Sequence, residues 1–297
     1  MAFPVRVRHC GDVDGERLFC DTALAERIER AETRFVSACA DAARRRLGDG
    51  RGFTRPLAGG VATFAEAGSP FNKIAGLGFA GLPEGLDEVE AAFAERGAPV
   101  QVELCQLADP AVGAFLTARG YRLESYENVL GRRIGNSGFP AGVRACRDDE
   151  LETWLSAVAE ASLVADEQGV PSHEDFPRDL LVNALRDMAG VRRYLATRDG
   201  EFAGGASFRV TDGIAQFSGA ATLPAHRRRG VQTALLRARL AAAAEAGCDL
   251  AVVTTQPGSK SHQNAQRQGF DLLYARAILV KGTSATRSSG AESRQAS

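Results

Sequence analysis

No stretch of the 297-residue chain approaches the roughly 18 consecutive apolar residues that span a bilayer, so a transmembrane anchor is not expected. The opening Met1-Ala2-Phe3-Pro4-Val5-Arg6-Val7-Arg8 has neither an apolar core nor a small-residue cleavage site, so a secretory signal is not expected either. An excess of charge is also missing: 36 Lys and Arg stand against 37 Asp and Glu, a net of −1. Nucleic-acid binding leaves a basic footprint on a whole domain, so neither a nucleic-acid nor a membrane partner is expected, and arginine clusters have to be read locally. The six cysteines (Cys10, Cys20, Cys39, Cys105, Cys146 and Cys248) form no C-x-x-C pair. A chain this large and apolar needs no disulfide scaffold, so reduced thiols and a cytoplasmic setting fit. Metal-ligand spacing, a P-loop and a nucleophile elbow are all lacking.

What is present is ordinary for a soluble globular chain: 44% hydrophobic and 25% charged residues, in a length that suits two domains. Glycines and a proline crowd the stretch 131–142, which reads as a boundary. Beyond Lys281 the chain is Ser, Gly, Ala and Arg with little to bury, so 282–297 reads as a disordered tail. The expected organisation is therefore a first domain at 1–133, a linker at 134–142, a second domain at 143–281, and the tail.

The second half reads as strand 143–147, helix 149–161 with Asp148 or Asp149 as N-cap, helix 176–188, then strands 193–198, 202–210 and 214–223. Asp199-Gly200 and Asp212-Gly213 supply the positive φ of tight hairpin turns, so the three strands form an antiparallel meander. A long helix (231–246) closed by Gly247 leads to strand 249–255, which implies parallel pairing across the crossover. Helix 259–268 and strand 272–281 finish the half. The first half repeats the later part of this order: strand 74–83, helix 86–96, strand 100–105, helix 111–119 and strand 123–130. Upstream of it, 21–46 reads as one long helix. The chain thus reads as a tandem duplication.

The residues that carry chemistry are Leu223-Pro224-Ala225-His226-Arg227-Arg228-Arg229-Gly230-Val231-Gln232-Thr233, where a strand ends and the long helix begins. The first amides of a helix lack intrahelical partners and sit at the positive end of its dipole. A glycine that admits close approach, beside three arginines, makes that end a seat for a pyrophosphate-like anion. This order of elements resembles the GNAT superfamily of N-acetyltransferases. Arg227-x-x-Gly230-x-Gln232 resembles its [Gln/Arg]-x-x-Gly-x-[Gly/Ala] signature, departing at Gln232. The resemblance is close over 143–281 and weak over 21–132. It implies an α+β fold of tandem GNAT-like domains, each a mixed, mostly antiparallel twisted sheet flanked by helices, with a degenerate first copy.

It also implies acetyl-CoA as co-substrate, with no metal, and transfer of its acetyl group to a small-molecule or peptide amine by direct attack in a ternary complex. Arg227, Arg228, Arg229, Gly230, Val231, Gln232 and Thr233 would hold the pyrophosphate. Backbone at Ala221, Thr222 and Leu223 would pair with the pantetheine arm, Ser218-Gly219 would carry the bulge that splays the strand, and Asn264 would touch the cofactor. The family's usual Tyr acid falls on Ala265, and the cofactor strand offers Gln216 and Ser218 in place of Glu. Ser261, Glu167 and His173 are the catalytic candidates that remain, the latter two in an acidic loop expected to receive the amine. His226 and His262 read as surface residues rather than bases.

Two other readings stand beside this one. A non-catalytic acyl-CoA-binding or regulatory protein of the same fold would explain the missing Tyr and Glu. A dinucleotide enzyme would explain Gly76-x-Gly78-x-x-Gly81 with Glu103 further on, but Leu82-Pro83-Glu84-Gly85 separates the glycines from the next helix. Glu84, Asp87 and Glu88 would also repel a phosphate there. Nothing in the sequence speaks to oligomeric state.

Overall fold

The computed structural model describes residues 17–48, 50–135, 138–164, 170 and 176–282. The expected tail, apart from Gly282, and Cys10 lie outside the described residues, as does most of the acidic loop.

The chain opens on helix α1 (Thr22–Leu47), whose start is capped by the Asp21 carboxylate accepting from the Leu24 amide. It ends at Gly48 with φ 66°, the left-handed conformation that lets the amide fold back on the Arg44 carbonyl. Strands β1 (Phe53–Leu57) and β2 (Gly60–Phe64) form a hairpin. Then come β3 (Lys73–Ala75), α2 (Leu86–Ala94), β4 (Val100–Cys105), α3 (Pro110–Ala118) and β5 (Arg122–Arg133). The later half runs β6 (Val143–Ala145), α4 (Leu151–Leu163), α5 (Arg178–Asp187), β7 (Val191–Arg198), β8 (Glu201–Thr211) and β9 (Ile214–Thr222). It closes with α6 (Val231–Glu245), β10 (Leu250–Thr255), α7 (Lys260–Arg267) and β11 (Asp271–Lys281).

Several expectations shift. The β1–β2 hairpin has no counterpart among the expected elements; β1 is the edge of the sheet, where the missing ladder donor of Pro56 is tolerated. The strand expected over 74–83 shrinks to Lys73–Ala75, since Gly76, Gly78 and Gly81 all take positive φ and break the ladder. Gly131, Arg132 and Arg133 belong to β5 rather than to the boundary stretch. At the start of α4 neither Asp148 nor Asp149 caps: both lie in a 3-10 turn, and the Glu150 carboxylate accepts from the Arg147 amide instead.

Among the described residues eleven strands form one sheet, ordered β1-β2-β3-β4-β11-β5-β10-β9-β8-β7-β6. Every neighbouring pair is antiparallel except β3 with β4 and β10 with β9. The halves are therefore built alike, and they interleave. The last strand of the first half, β5, pairs with β10, while the last strand of the second half, β11, pairs with β4. β5 and β11 also pair with each other through the centre. Each half receives its closing strand from the other.

One face of the sheet is covered by α6 over Phe208, Ala215, Phe217 and Leu130, and by α2 and α3 over Ile74, Val102 and Leu279. The other face carries α1, α4 and α5, with Trp154 buried and its indole N–H donating 2.9 Å to the Tyr194 carbonyl. Arg46, near the end of α1, donates to Glu66 and Asp187, the latter on α5, so the arginine triplet has a structural use. Cys39, Cys105 and Cys248 are buried. Among the described residues no helix is long and apolar enough to cross a membrane.

Candidate functional site

The site begins where two parallel strands part. β9 and β10 pair from Ile214↔Leu250 to Phe217↔Val253 and no further, although β9 runs on to Thr222 and β10 to Thr255. Past that point each strand keeps only its outer neighbour: Thr222 pairs with Gly204 of β8, and Thr255 with Asn128 of β5. A wedge with unpaired backbone edges results. It is prepared by a bulge in β9, where the pairing passes from Ser207↔Ser218 to Gly205↔Ala221 and so holds one extra residue. Gly219, inside the bulge, has φ 52°, and a Cβ there would come 2.9 Å from the Met188 methyl.

The loop after β9 delivers the start of α6 to the mouth of this wedge. Pro224–His226 form a single 3-10 turn, and Arg228 takes φ 63°. Gly230 caps α6 with φ 80° and ψ 2°, and among the described residues no side chain caps the helix. A Cβ on Gly230 would meet nothing within 4 Å, so the helix end faces open space. That space is a cleft of about 550 Å³. It is lined by Ala220, Ala221 and Thr222 of β9, by Gly230, Val231, Gln232 and Thr233 of the helix start, and by Ser261 and Asn264 of α7. Arg227, Arg228, Lys260 and Arg267 add positive charge to its walls, and Ala161 and Ser162 bring in the end of α4. Helix-start amides, the positive end of a helix dipole and cations on one cleft suit an anion.

Not every expected residue takes part in that arrangement. The Arg227 guanidinium donates to the carbonyls of Ala161 (3.1 Å), Val164 (2.6 Å) and Thr222 (3.4 Å), tying the last turn of α4 to the end of β9. Its side chain thus braces the wall of the cleft. Leu223 and Arg229 do not line the cleft: the Leu223 amide donates to the Ala203 carbonyl, and the Arg229 carbonyl accepts from Arg198. The departure at Gln232 has a visible consequence, because its amide oxygen accepts a hydrogen bond from Asn264 and links α6 to α7 along the cleft. Ala265, where the family's Tyr would fall, is buried in the core. Ser261 is exposed on the cleft wall, while Glu167 and His173 lie outside the described residues. His226 is buried, not at the surface; it lines the cleft, with Nδ1 unpartnered and Nε2 4.0 Å from Glu201. His262 is half-buried and accepts from the Gly258 amide.

Among the described residues the first half offers no matching cationic helix start. Gly85 repeats Gly230 in place and conformation, with φ 85° and ψ 6° before α2. The helix it opens begins with Asp87 and Glu88, and Arg119 binds Asp87. Gly76 and Gly78 are packing glycines: a Cβ on either would come within 2.4 Å of a neighbour, Thr33 or Ala108.

On the α1 face of the sheet, beside the apex of the wedge, lies a group of charges that the sequence did not announce. Glu29 and Glu32 come from α1, Lys73 from β3, Glu103 from β4, Arg276 from β11 and Glu127 from β5. Arg276 is fully buried and donates 2.8 Å to Glu29; Glu103 and Glu127 each lie 3.7 Å from it and Glu32 4.0 Å. Lys73 binds Glu103. Burial, followed by repulsion from Glu103, pushes the Glu127 carboxyl up to about 8. Burial raises Glu32 as well. Glu103, held by Lys73 and Arg276, moves down despite its burial.

Comparison with known proteins agrees with this geometry. Residues 139–270 match the acetyltransferase (GNAT) family model, so this part of the chain is a GNAT domain. A GCN5-related N-acetyltransferase from Kribbella flavida superposes with a TM-score of 0.57 at 20% identity, over 82% of this chain and 95% of that one. A tandem GNAT protein from the clavulanic acid biosynthesis pathway superposes with a TM-score of 0.51 at 13% identity, over 86% and 95%. At these identities the likeness is one of fold, and the tandem arrangement is part of it. No curated protein matches the chain.

Proposed function

Starting from a GNAT domain whose α6 opens bare onto a cationic cleft, we propose that the protein transfers the acetyl group of acetyl-CoA to an amine by direct attack in a ternary complex. The observation that carries this reading is the coincidence of the uncapped Gly230 helix end with the unpaired edges of β9 and β10. Amides at the start of α6, with Arg228, would hold the coenzyme diphosphate. Free backbone at Ala221 and Thr222 would pair with the pantetheine amides and bring the thioester into the wedge. The amine lone pair attacks the thioester carbonyl carbon, a C–N bond forms, the C–S bond breaks, and coenzyme A leaves as thiolate. The nitrogen gives its surplus proton to a base or to water. A thiol pKa near ~8.5 makes the thiolate a tolerable leaving group without a dedicated acid, consistent with Ala265. Holding both reactants in one wedge supplies much of the rate.

Heating the protein with acetyl-CoA tests the binding step. A ligand at a hundredfold excess over its dissociation constant stabilises the fold by ~2.7 kcal/mol, so the melting temperature should rise with acetyl-CoA and stay put with NAD or NADP. Turnover of a broad amine panel tests the chemistry. Stabilisation without acetylation of any amine would favour a non-catalytic acyl-CoA-binding protein, a reading that the absent Tyr and Glu support.

A further inference from the structure

The charges beside the wedge do not balance: four carboxylates, Glu29, Glu32, Glu103 and Glu127, share two cations, Lys73 and Arg276. A buried excess of negative charge is resolved by protons or by a cationic ligand. Two oxygens among these groups call for a donor. Gln216 is 8% exposed, donates 3.2 Å to Glu32, and leaves its own Oε1 without a partner; Glu29 Oε2, fully buried, is also unpartnered. Glu32 and Glu127 keep part of their surface open, so the group can be reached.

Its place is as informative as its charge. Gln216 stands opposite Val252 in the last paired stretch of β9 and β10, and Phe217↔Val253 is the final pair before the wedge. Thr254, one residue beyond, touches Arg276 at 3.5 Å. The charges therefore lie on the α1 face at the closed end of the wedge, where a thioester threaded from Gly230 would stop. Among the described residues no three acids, histidines or cysteines converge as a metal would require. The acceptor oxygens come from α1, β5 and β9 rather than from one point, which suits an extended cation.

Resting on the acetyl-transfer reading above, the geometry points to an acceptor of a specific class: a small amine with a second positive charge, whose ammonium docks among Glu32, Glu127, Gln216 and Glu29 while its neutral amine faces the thioester. The first half of the chain, which lacks a diphosphate seat, then supplies the acceptor side through α1 and β5. The docked ammonium replaces protons: it sits near Glu127, whose other charged neighbours are Glu29, Glu32, Lys73, Glu103 and Arg276, and drives that carboxyl to ionise.

Calorimetry of the full chain with spermidine and with n-butylamine, each with and without acetyl-CoA, tests this. Spermidine should bind about tenfold or more tightly than n-butylamine, the loss expected when a charged hydrogen-bond partner is missing. Its binding heat should differ between buffers of different ionisation enthalpy, showing proton release. Glu127→Gln and, separately, Glu32→Gln should abolish that preference and leave acetyl-CoA affinity unchanged. Equal binding of the two amines, or an unchanged preference in both variants, overturns the proposal. Because spermidine is also titrated without coenzyme, failure of acetyl-CoA to bind would defeat the transferase reading alone. Spermidine binding without acetylation would leave the cation site standing and the reaction refuted.

Discussion

Gly230 and Gly85 form a natural pair of probes. Both cap a helix at φ near 80° with open space around the missing Cβ, at 80° and 85°. Replacing either by Ala forces a side chain into the left-handed region at a cost of about 1 kcal/mol, read from chemical denaturation. Only Gly230→Ala should also weaken acetyl-CoA, by about tenfold, because its Cβ stands where the diphosphate approaches the amides. Arg227 differs in kind. Arg227→Ala frees three carbonyls and should cost about 1–2 kcal/mol in the same assay. Arg227→Lys should not restore it, since an ammonium cannot span acceptors on both β9 and the end of α4. Arg227-x-x-Gly230 was legible as a motif. The use of the arginine was not, because its acceptors Ala161 and Val164 lie 66 and 63 residues away. The burial of His226 was hidden for a similar reason: a polar loop gives no sign that it folds under its own helix.

Among the elements, those with a regular apolar period were visible in the sequence. α1, α6, β8 and β9 fall within a residue or two of their expected spans, and the Asp-Gly turns do take positive φ at Asp199, Gly200, Asp212 and Gly213. The β1–β2 hairpin was missed because edge strands tolerate what interior strands forbid. The charged row across β3, β4, β11 and β5 was missed because it exists only once the sheet is assembled. That row has a signature in stability against pH. Glu127 holds its proton in the folded chain from 4.5, its ordinary value, up to about 8. The folded state binds more protons than the unfolded state across that window, so stability falls as pH rises through it. Denaturant melts at several pH values between 5 and 8.5 should show this slope, and Glu127→Gln should flatten it.

For the whole molecule, the interleaving of β5 and β11 makes the two halves one folding problem. Residues 17–133 expressed alone would lack the neighbour that β11 gives to β4, and residues 143–281 would lack β5 beside β10. Each fragment should therefore be unfolded or aggregated by circular dichroism and gel filtration, whereas co-expression should give a folded pair; two independently folded fragments would argue against the exchange. The duplication itself was legible from the repeated strand–helix–strand–helix–strand order. The exchange was not, because β5 and β11 follow the same pattern and either could close either half. Interleaving also brings the open start of α6 from one half and the acids of the other to the same wedge.

The central claim is that one coenzyme sits in the later half, its diphosphate on the open end of α6. Titration of the intact protein with acetyl-CoA in a calorimeter tests this most directly. One site per chain is predicted, severely weakened by Gly230→Asp and retained in Gly85→Asp. Two sites per chain, no site, or loss of binding on changing Gly85 instead would contradict it.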